Sequence, residues 1–229
     1  RMHADAIHVV YRWHGNLRRL REALLPAPEH ERLRVYQEAL ARITAAGDLP
    51  REVSLRTLLA PLLVLAYTRS PTSDPAAENR AALVVLAAYL AGRGLSAVVP
   101  QAHAWPRPAA RRVTLRGRRD LAQHFAVSAA LAAAAGSPLA DAVGLAKELD
   151  DAKRGSGFSF SDLAADRAGT LFGTHAVRSA ESARRLQERV MAGLAEADFM
   201  PDVSDLPDSL SESEFKRRFA APGAPAYRR

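Results

Sequence analysis

Apolar residues, mainly Ala, Leu and Val, recur at intervals of three and four along most of this chain. That spacing lays a continuous stripe along an α-helix and does not fit one face of a strand, whose period is two. Alanine-rich segments favour helix, while aromatic residues make up only 6% and β-branched clusters are few. The pattern predicts an all-α fold, a multi-helix orthogonal bundle with a proline-rich, partly extended connector. Helices are expected over 5–24, 29–46, 53–68, 76–92, 119–135, 138–152, 160–172 and 177–197.

Punctuation supports these elements. Asp74 before Pro75 reads as an N-cap followed by proline at the first helical position, and Gly136-Ser137-Pro138 closes one helix and opens the next. Between Gly92 and Arg119, Pro100, Pro106 and Pro108 break any helix. An extended segment or a short hairpin around Val113-Thr114-Leu115 is expected there, acting as a hinge or linker between two helical layers. The organisation is then a basic N-terminal helical layer over 1–99, a connector over 100–118, a second helical layer with a polar cluster over 119–198, and a tail over 199–229 that wraps the surface or is disordered. There is no internal repeat.

With 229 residues, 48% hydrophobic and 25% charged, one domain or two small ones can bury a core, which excludes a wholly disordered chain. The absence of cysteine excludes disulfides, thiolate metal sites, iron–sulfur clusters and cysteine nucleophiles. No apolar run reaches the length of a membrane span, about 18 residues. The nearest, 125–146, is interrupted by Gly136, Ser137, Pro138 and Asp141. No secretory signal is visible, but the sequence opens at Arg1, so its absence carries no weight.

Charge is polarised. Residues 1–119 hold 19 Arg against 9 acidic groups, and residues 120–229 hold 13 Lys and Arg against 16 Asp and Glu. A basic half can sit against an anionic partner or against its own acidic half. Arg107, Arg111, Arg112 and Arg116, followed by Arg118 and Arg119, form a dense arginine segment suited to an envelope polymer or another anionic partner. Nucleic acid is disfavoured, because Trp105 is the lone aromatic nearby for base stacking. The same arginines can neutralise Asp120 and the acidic half.

The most informative text lies in residues 120–173. On the helix expected there, His124 falls on an arc with Leu121, Phe125, Ser128, Leu131 and Ala132, so its imidazole is expected to face the interior with Asp120 one turn behind. The plainest role for it is a core histidine bonded to a carbonyl or to Asp120. On the next expected helix, Asp141, Gly144, Glu148 and Asp151 lie opposite an apolar arc, as a solvated face would. Farther on, Ser159 with Asp162 fits a capping box, and Asp162, Asp166, Gly169 and Gly173 share one stripe. Glycine inside a helix costs about 1 kcal/mol relative to alanine, so something is expected to pack closely against that stripe. The simpler role for these carboxylates is a capping Asp162 and an Asp166 paired with a neighbouring Arg.

Asp120 through His124-Phe125, the small-residue helix with Gly144-Leu145-Ala146-Lys147-Glu148 and Asp151, and Gly157-Phe158-Ser159-Phe160-Ser161-Asp162-Leu163 with Ala165-Asp166 together resemble the core of the YfiM-type family of predicted periplasmic lipoproteins. The resemblance covers residues 120–173 and is carried mainly by Lys147-Glu148 and the run from Gly157 to Asp166. It implies a periplasmic or envelope location and a shared polar cluster, without supplying a reaction. Family members carry a lipid-anchoring cysteine, which this chain lacks, so any anchor is expected to have been trimmed or replaced.

Two chemistries suit a site built from His124, Glu148, Asp151, Asp162 and Asp166. In a metal version, His124, Asp162, Asp166 and Asp151 hold a divalent cation and Glu148 activates water. In a metal-free version, Glu148 is the general acid and Asp162 or Asp166 orients water, with His124 in the acid/base set, as suits a hydrolase acting on a cell-wall glycan. Glu148 ahead of Gly155-Ser156-Gly157-Phe158 is similar to lytic transglycosylases, without their full signature. The rival reading is a non-enzymatic helical scaffold or interaction protein in which these residues form a structural polar network. Phosphate-loop, dinucleotide-binding, zinc-protease and serine-hydrolase motifs are absent from the sequence.

Overall fold

The computed structural model of the chain describes residues 27–92, 94–97, 99–135, 159–206 and 217–218. Among them, six helices pack together: α1 (Ala27–Ala45), α2 (Leu55–Arg69), α3 (Pro75–Leu90), α4 (Arg119–Ala134), α5 (Phe160–Val177) and α6 (Ala180–Met191). Two three-residue strands, β1 (Glu52–Ser54) and β2 (Arg112–Thr114), complete the elements used below. The expected all-α character holds, and the helices expected over 5–24 and 138–152 lie outside the described residues. The last two expected boundaries move: α5 runs on to Val177, and α6 starts after Ser179, whose hydroxyl accepts from the Ser182 N–H at 3.1 Å.

Local chemistry accounts for the ends. The Asp74 carboxylate accepts from the Ala76 N–H at 3.0 Å, with Pro75 in the first turn where its missing N–H does no harm. The Ser159 hydroxyl accepts from the Asp162 N–H at 3.1 Å and opens α5. At the end of α1, the Arg111 guanidinium donates to the carbonyls of Thr44 (2.6 and 2.9 Å), Leu49 (2.9 Å) and Ala46 (3.3 Å). A cation on orphan carbonyls at a helix C-terminus satisfies them and opposes the helix dipole.

The stretch before α4 is not wholly extended: Pro100–Ala104 form a 3-10 helix with the proline in its first turn, and the strand that follows pairs with a partner far away in sequence rather than across a hairpin. β2 lies parallel to β1 in the register Glu52 to Arg112, Val53 to Val113 and Ser54 to Thr114. A tight reversal follows, where Arg116 (φ 52°) and Gly117 (φ 74°) are both left-handed and Leu115 and Arg118 exchange backbone hydrogen bonds of 2.8 and 3.0 Å. Positive φ at both central residues is the signature of a type I′ turn. Upstream, Gln37 donates to the Pro106 carbonyl at 3.0 Å, the Ala109 N–H donates to Thr44 Oγ1 at 3.0 Å, and Tyr89 Oη donates to the Ala109 carbonyl at 2.8 Å. These bonds strap the segment along α1 and α3.

α3 is the central helix, buried on nearly every side. It packs against α1, α2, α4, α5 and α6, so residues from both sides of the 100–118 segment enter one hydrophobic core. Two adjacent polar residues on α3 are fully buried there. Glu78 accepts from Arg32 Nε (3.1 Å), Tyr36 Oη (2.8 Å), Arg69 Nε (2.7 Å) and Ser73 Oγ (2.6 Å). Asn79 donates to the carbonyls of Ala176 (2.9 Å) and Ala183 (3.2 Å) and accepts from Gln187 Nε2 (2.8 Å), tying the α5–α6 corner to the centre. Beyond α6, Phe199, Met200 and Val203 are buried, and Phe199 stacks with Phe125 and Phe172 at centroid distances of 5.2 and 5.8 Å. The first residues of the expected tail therefore belong to the core.

Candidate functional site

α4 and α5 meet at backbone distance. A Cβ added at Gly169 would strike the Phe125 carbonyl, and one added at Gly173 would strike the Ala129 carbonyl. This is the close packing expected of the glycine stripe, and its occupant is the α4 backbone. The pairing of 169 with 125 and 173 with 129 also means that the two helices run parallel, so α5 starts at the end of the pair where α4 starts. Asp162 and Asp166 lie on the first two turns of α5, at the rim of this seam, facing the first two turns of α4.

His124 reaches that rim. Its Nδ1 lies 3.3 Å from Asp166 Oδ1, and its Nε2 lies 3.6 Å from Asp162 Oδ2. Ser128, one turn farther along α4, donates to Asp166 Oδ1 at 2.7 Å. Below them, Arg118 bonds Asp120 through Nε (3.2 Å) and Nη2 (2.5 Å), and its Nη2 stands 3.9 Å from Asp162 Oδ1. The structure thus joins His124, Asp162 and Asp166, whereas Glu148 and Asp151 lie outside the described residues.

Three expectations need correction. His124 is not interior: its side chain is 40% exposed, because the buried arc of α4 runs through Leu121, Ala122, Phe125, Ala126 and Ala129, one residue to the side. Its partners are Asp162 and Asp166 rather than Asp120, which Arg118 holds. Among the described residues, Asp166 in turn pairs with His124 and Ser128 and not with an arginine. Ser128 was the member not picked out from the sequence; its position four residues after His124 is the signal that could have found it.

The electrostatics follow from this arrangement. The Asp166 carboxylate at Nδ1 raises the His124 pKa against the opposing effect of burial, with Asp162 and Asp120 adding to the rise. Burial pushes the Asp162 carboxyl up, opposed by His124 and reinforced by Asp120. The hydrogen bond from Arg118 holds Asp120 below the ordinary aspartate range. An imidazole with a carboxylate at each nitrogen favours its protonated form, in which both nitrogens are donors and neither offers a lone pair. Among the described residues, no group of three His, Asp or Glu side chains is placed to share a metal ion.

The arginine segment is largely occupied within the fold. Arg111 caps α1, Arg116 donates through Nη2 to the Met200 carbonyl at 2.5 Å, and Arg112 pairs with Glu52 at 3.2 Å. Arg107 is exposed. Comparison with protein-family models, curated proteins and solved structures finds no match to this chain.

Proposed function

We propose that this chain is a non-enzymatic helical scaffold or interaction protein of the bacterial envelope, and that the cluster at the α4–α5 seam is structural. The observation that carries this reading is the placement of His124, with Asp166 at one ring nitrogen and Asp162 at the other. Asp166 at Nδ1 (3.3 Å) and Asp162 on the Nε2 side (3.6 Å) favour the charged imidazole, which suits an ion-pair link between the two helices. The close backbone contact at Gly169 and Gly173 leaves the cluster the task of setting register and direction between two parallel helices, a role known for isolated polar groups in helix pairs.

A double-mutant cycle of His124→Asn and Asp166→Asn, read by thermal unfolding with and without magnesium or zinc ions, tests the proposal. The scaffold reading expects coupling of about 0.5 kcal/mol, as for partly exposed ion pairs, and no stabilisation by either ion. A rise in parent melting temperature on adding either ion, lost in Asp166→Asn, would overturn it in favour of a metal site.

A second reading keeps an acid/base hydrolase acting on a cell-wall or other envelope substrate, with Glu148, His124 and Asp162 as its acid/base set. One observation favours it: Asp162 Oδ1 is buried without a hydrogen-bond partner, and burial raises this carboxyl, as a general acid requires. Release of soluble fragments from peptidoglycan by the parent, abolished in Asp162→Asn and in Glu148→Gln, is the result this reading expects and the scaffold reading forbids.

A further inference from the structure

The corner between α5 and α6 holds a cleft that the α4–α5 seam does not use. It has a volume of about 320 Å³ and is walled by His175 and Arg178 where α5 ends and by Ser179, Glu181, Arg185 and Leu186 where α6 begins. These side chains therefore share one concave face. The backbone behind them is held from both sides. The Ser179 hydroxyl accepts from the Ser182 N–H at 3.1 Å, and the Ser182 hydroxyl donates to the His175 carbonyl at 2.7 Å. From the core, Asn79 donates to the carbonyls of Ala176 and Ala183. A wall presented from so fixed a base loses little order when something binds to it.

Donors in the cleft outnumber the uses the fold makes of them. Neither the Arg178 guanidinium nor the His175 imidazole bonds a group among the described residues. The Ser179 hydroxyl has accepted one bond and still has its own proton to give. Arg185 meets Glu181 at 2.5 Å, but both side chains are 74% exposed, and a pair so exposed is worth little and is readily exchanged for another anion. Two arginines against one glutamate leave the cleft net positive.

We propose that this cleft binds the phosphate group of a small phosphate monoester. A guanidinium edge offers paired N–H donors that match two phosphate oxygens, and Arg178 and Arg185 supply one such edge each. The Ser179 hydroxyl and an imidazole N–H of His175 add single donors. A carboxylate, with two oxygens and one charge, leaves part of this set unmatched, whereas a monoester brings three terminal oxygens and close to two charges. The volume falls at the lower end of the range for small-molecule sites, about 300–1,000 Å³, and Leu186 gives the carbon part of the ester an apolar wall. The inference goes beyond the scaffold reading and does not rest on it, since His175 lies nine residues beyond Asp166 on the same helix, roughly 13 Å along its axis.

Titration of the isotope-labelled full chain with glycerol 3-phosphate at fixed ionic strength, followed by amide chemical shifts, tests this. The parent is expected to show saturable shifts confined to residues around His175 to Leu186, with a Kd in the millimolar range, and none with acetate or glycerol at the same concentration. Arg178→Gln and Arg185→Gln are each expected to weaken binding about tenfold. Glu181→Gln is expected to tighten it about threefold, because it removes a like charge from the wall and releases Arg185. Arg184→Gln takes the same charge from an exposed position on α6 outside the cleft and is expected to change binding by less than about twofold. All four substitutions fall at exposed positions and leave His124, Asp162 and Asp166 untouched, so the result is separable from the tests of the seam. No saturable shift in the parent, shifts scattered over arginines elsewhere, equal binding of acetate, weaker binding by Glu181→Gln, or a loss in Arg184→Gln as large as in Arg178→Gln would each overturn the site.

Discussion

A buried carboxylate is costly unless its oxygens are matched by donors and its charge by cations, and Glu78 meets both demands with donors from α1, α2 and the α2–α3 turn. Burial alone would raise its pKa, but hydrogen bonds from Arg69, Ser73, Tyr36 and Arg32 outweigh it and hold the carboxyl below the ordinary glutamate value. Glu78→Gln leaves Arg69 without its counter-charge, while Arg32 keeps Glu29 at 2.7 Å, and should cost about 3 kcal/mol in urea unfolding. Such a depressed group contributes stability above its unfolded pKa, and that contribution is lost as pH falls through the folded one. His124 has the opposite sign. Its pKa is raised on folding, so its contribution is complete below about pH 6.5 and is lost as pH climbs through the folded value. Since His124 is 40% exposed, solvent screening reduces this to about half a kcal/mol. Melting temperature should therefore decline on both the acidic and the alkaline side, with Glu78→Gln flattening the first and His124→Asn the second. Unchanged alkaline slope in His124→Asn would remove the ion-pair assignment. Neither behaviour was legible from sequence. Glu78 there reads as an ordinary polar residue in a first helical turn, and only the packing of α1 and α2 around α3 buries it; His124 was legible as a partner for carboxylates, but its direction depended on a helix face that α5 decides.

Helix α5 shows what a local pattern can and cannot convey. Gly169 and Gly173, spaced by four, predicted that something packs closely, and the something is the backbone of α4 at Phe125 and Ala129. That the two helices run parallel is a property of the pair, and no residue of either one states it. Alanine at either glycine gains up to about 1 kcal/mol of helix propensity but forces a Cβ into a backbone carbonyl, and overpacking of this kind costs about 1–3 kcal/mol. Gly173→Ala should therefore lower stability by about 2 kcal/mol and shift the amide resonances of Phe125 to Ala130. Gly47→Ala is the control, since nothing lies within 4 Å of the added methyl. The end of α1 offers a parallel case. In the sequence Arg111 belongs to a segment suited either to an anionic partner or to the acidic half of the chain, yet it closes a helix, because carbonyls at the end of α1 accept from it once β2 pairs with β1. Arg111→Met keeps the stem and removes the donors, and should cost about 2 kcal/mol with fraying confined to the last turn of α1, measurable by amide exchange at Ile43 to Ala46.

At the scale of the molecule, the all-α character followed directly from the apolar period of three and four, while the arrangement of the helices followed from which polar residues share α3. Glu78 gathers α1 and α2, Asn79 gathers α5 and α6, and the apolar remainder of α3 packs on α4. A chain whose two halves were joined only by the proline-rich segment would unfold in two steps. Here residues from before and after that segment lie in one hydrophobic cluster around a shared helix, so neither half keeps its core when the other opens. The expected outcome is a single cooperative transition. Native-state hydrogen exchange in rising urea reads it element by element: the most protected amides of α2, α3 and α4 should converge on one opening free energy with one denaturant slope. Leu86→Ala, a fully buried cavity-forming change on α3, should lower all three by the same amount, about 3 kcal/mol. If the amides of α4 instead kept the parent's protection while those of α2 lost it, the segment at 100–118 would be a true boundary and α3 would belong to the N-terminal half alone.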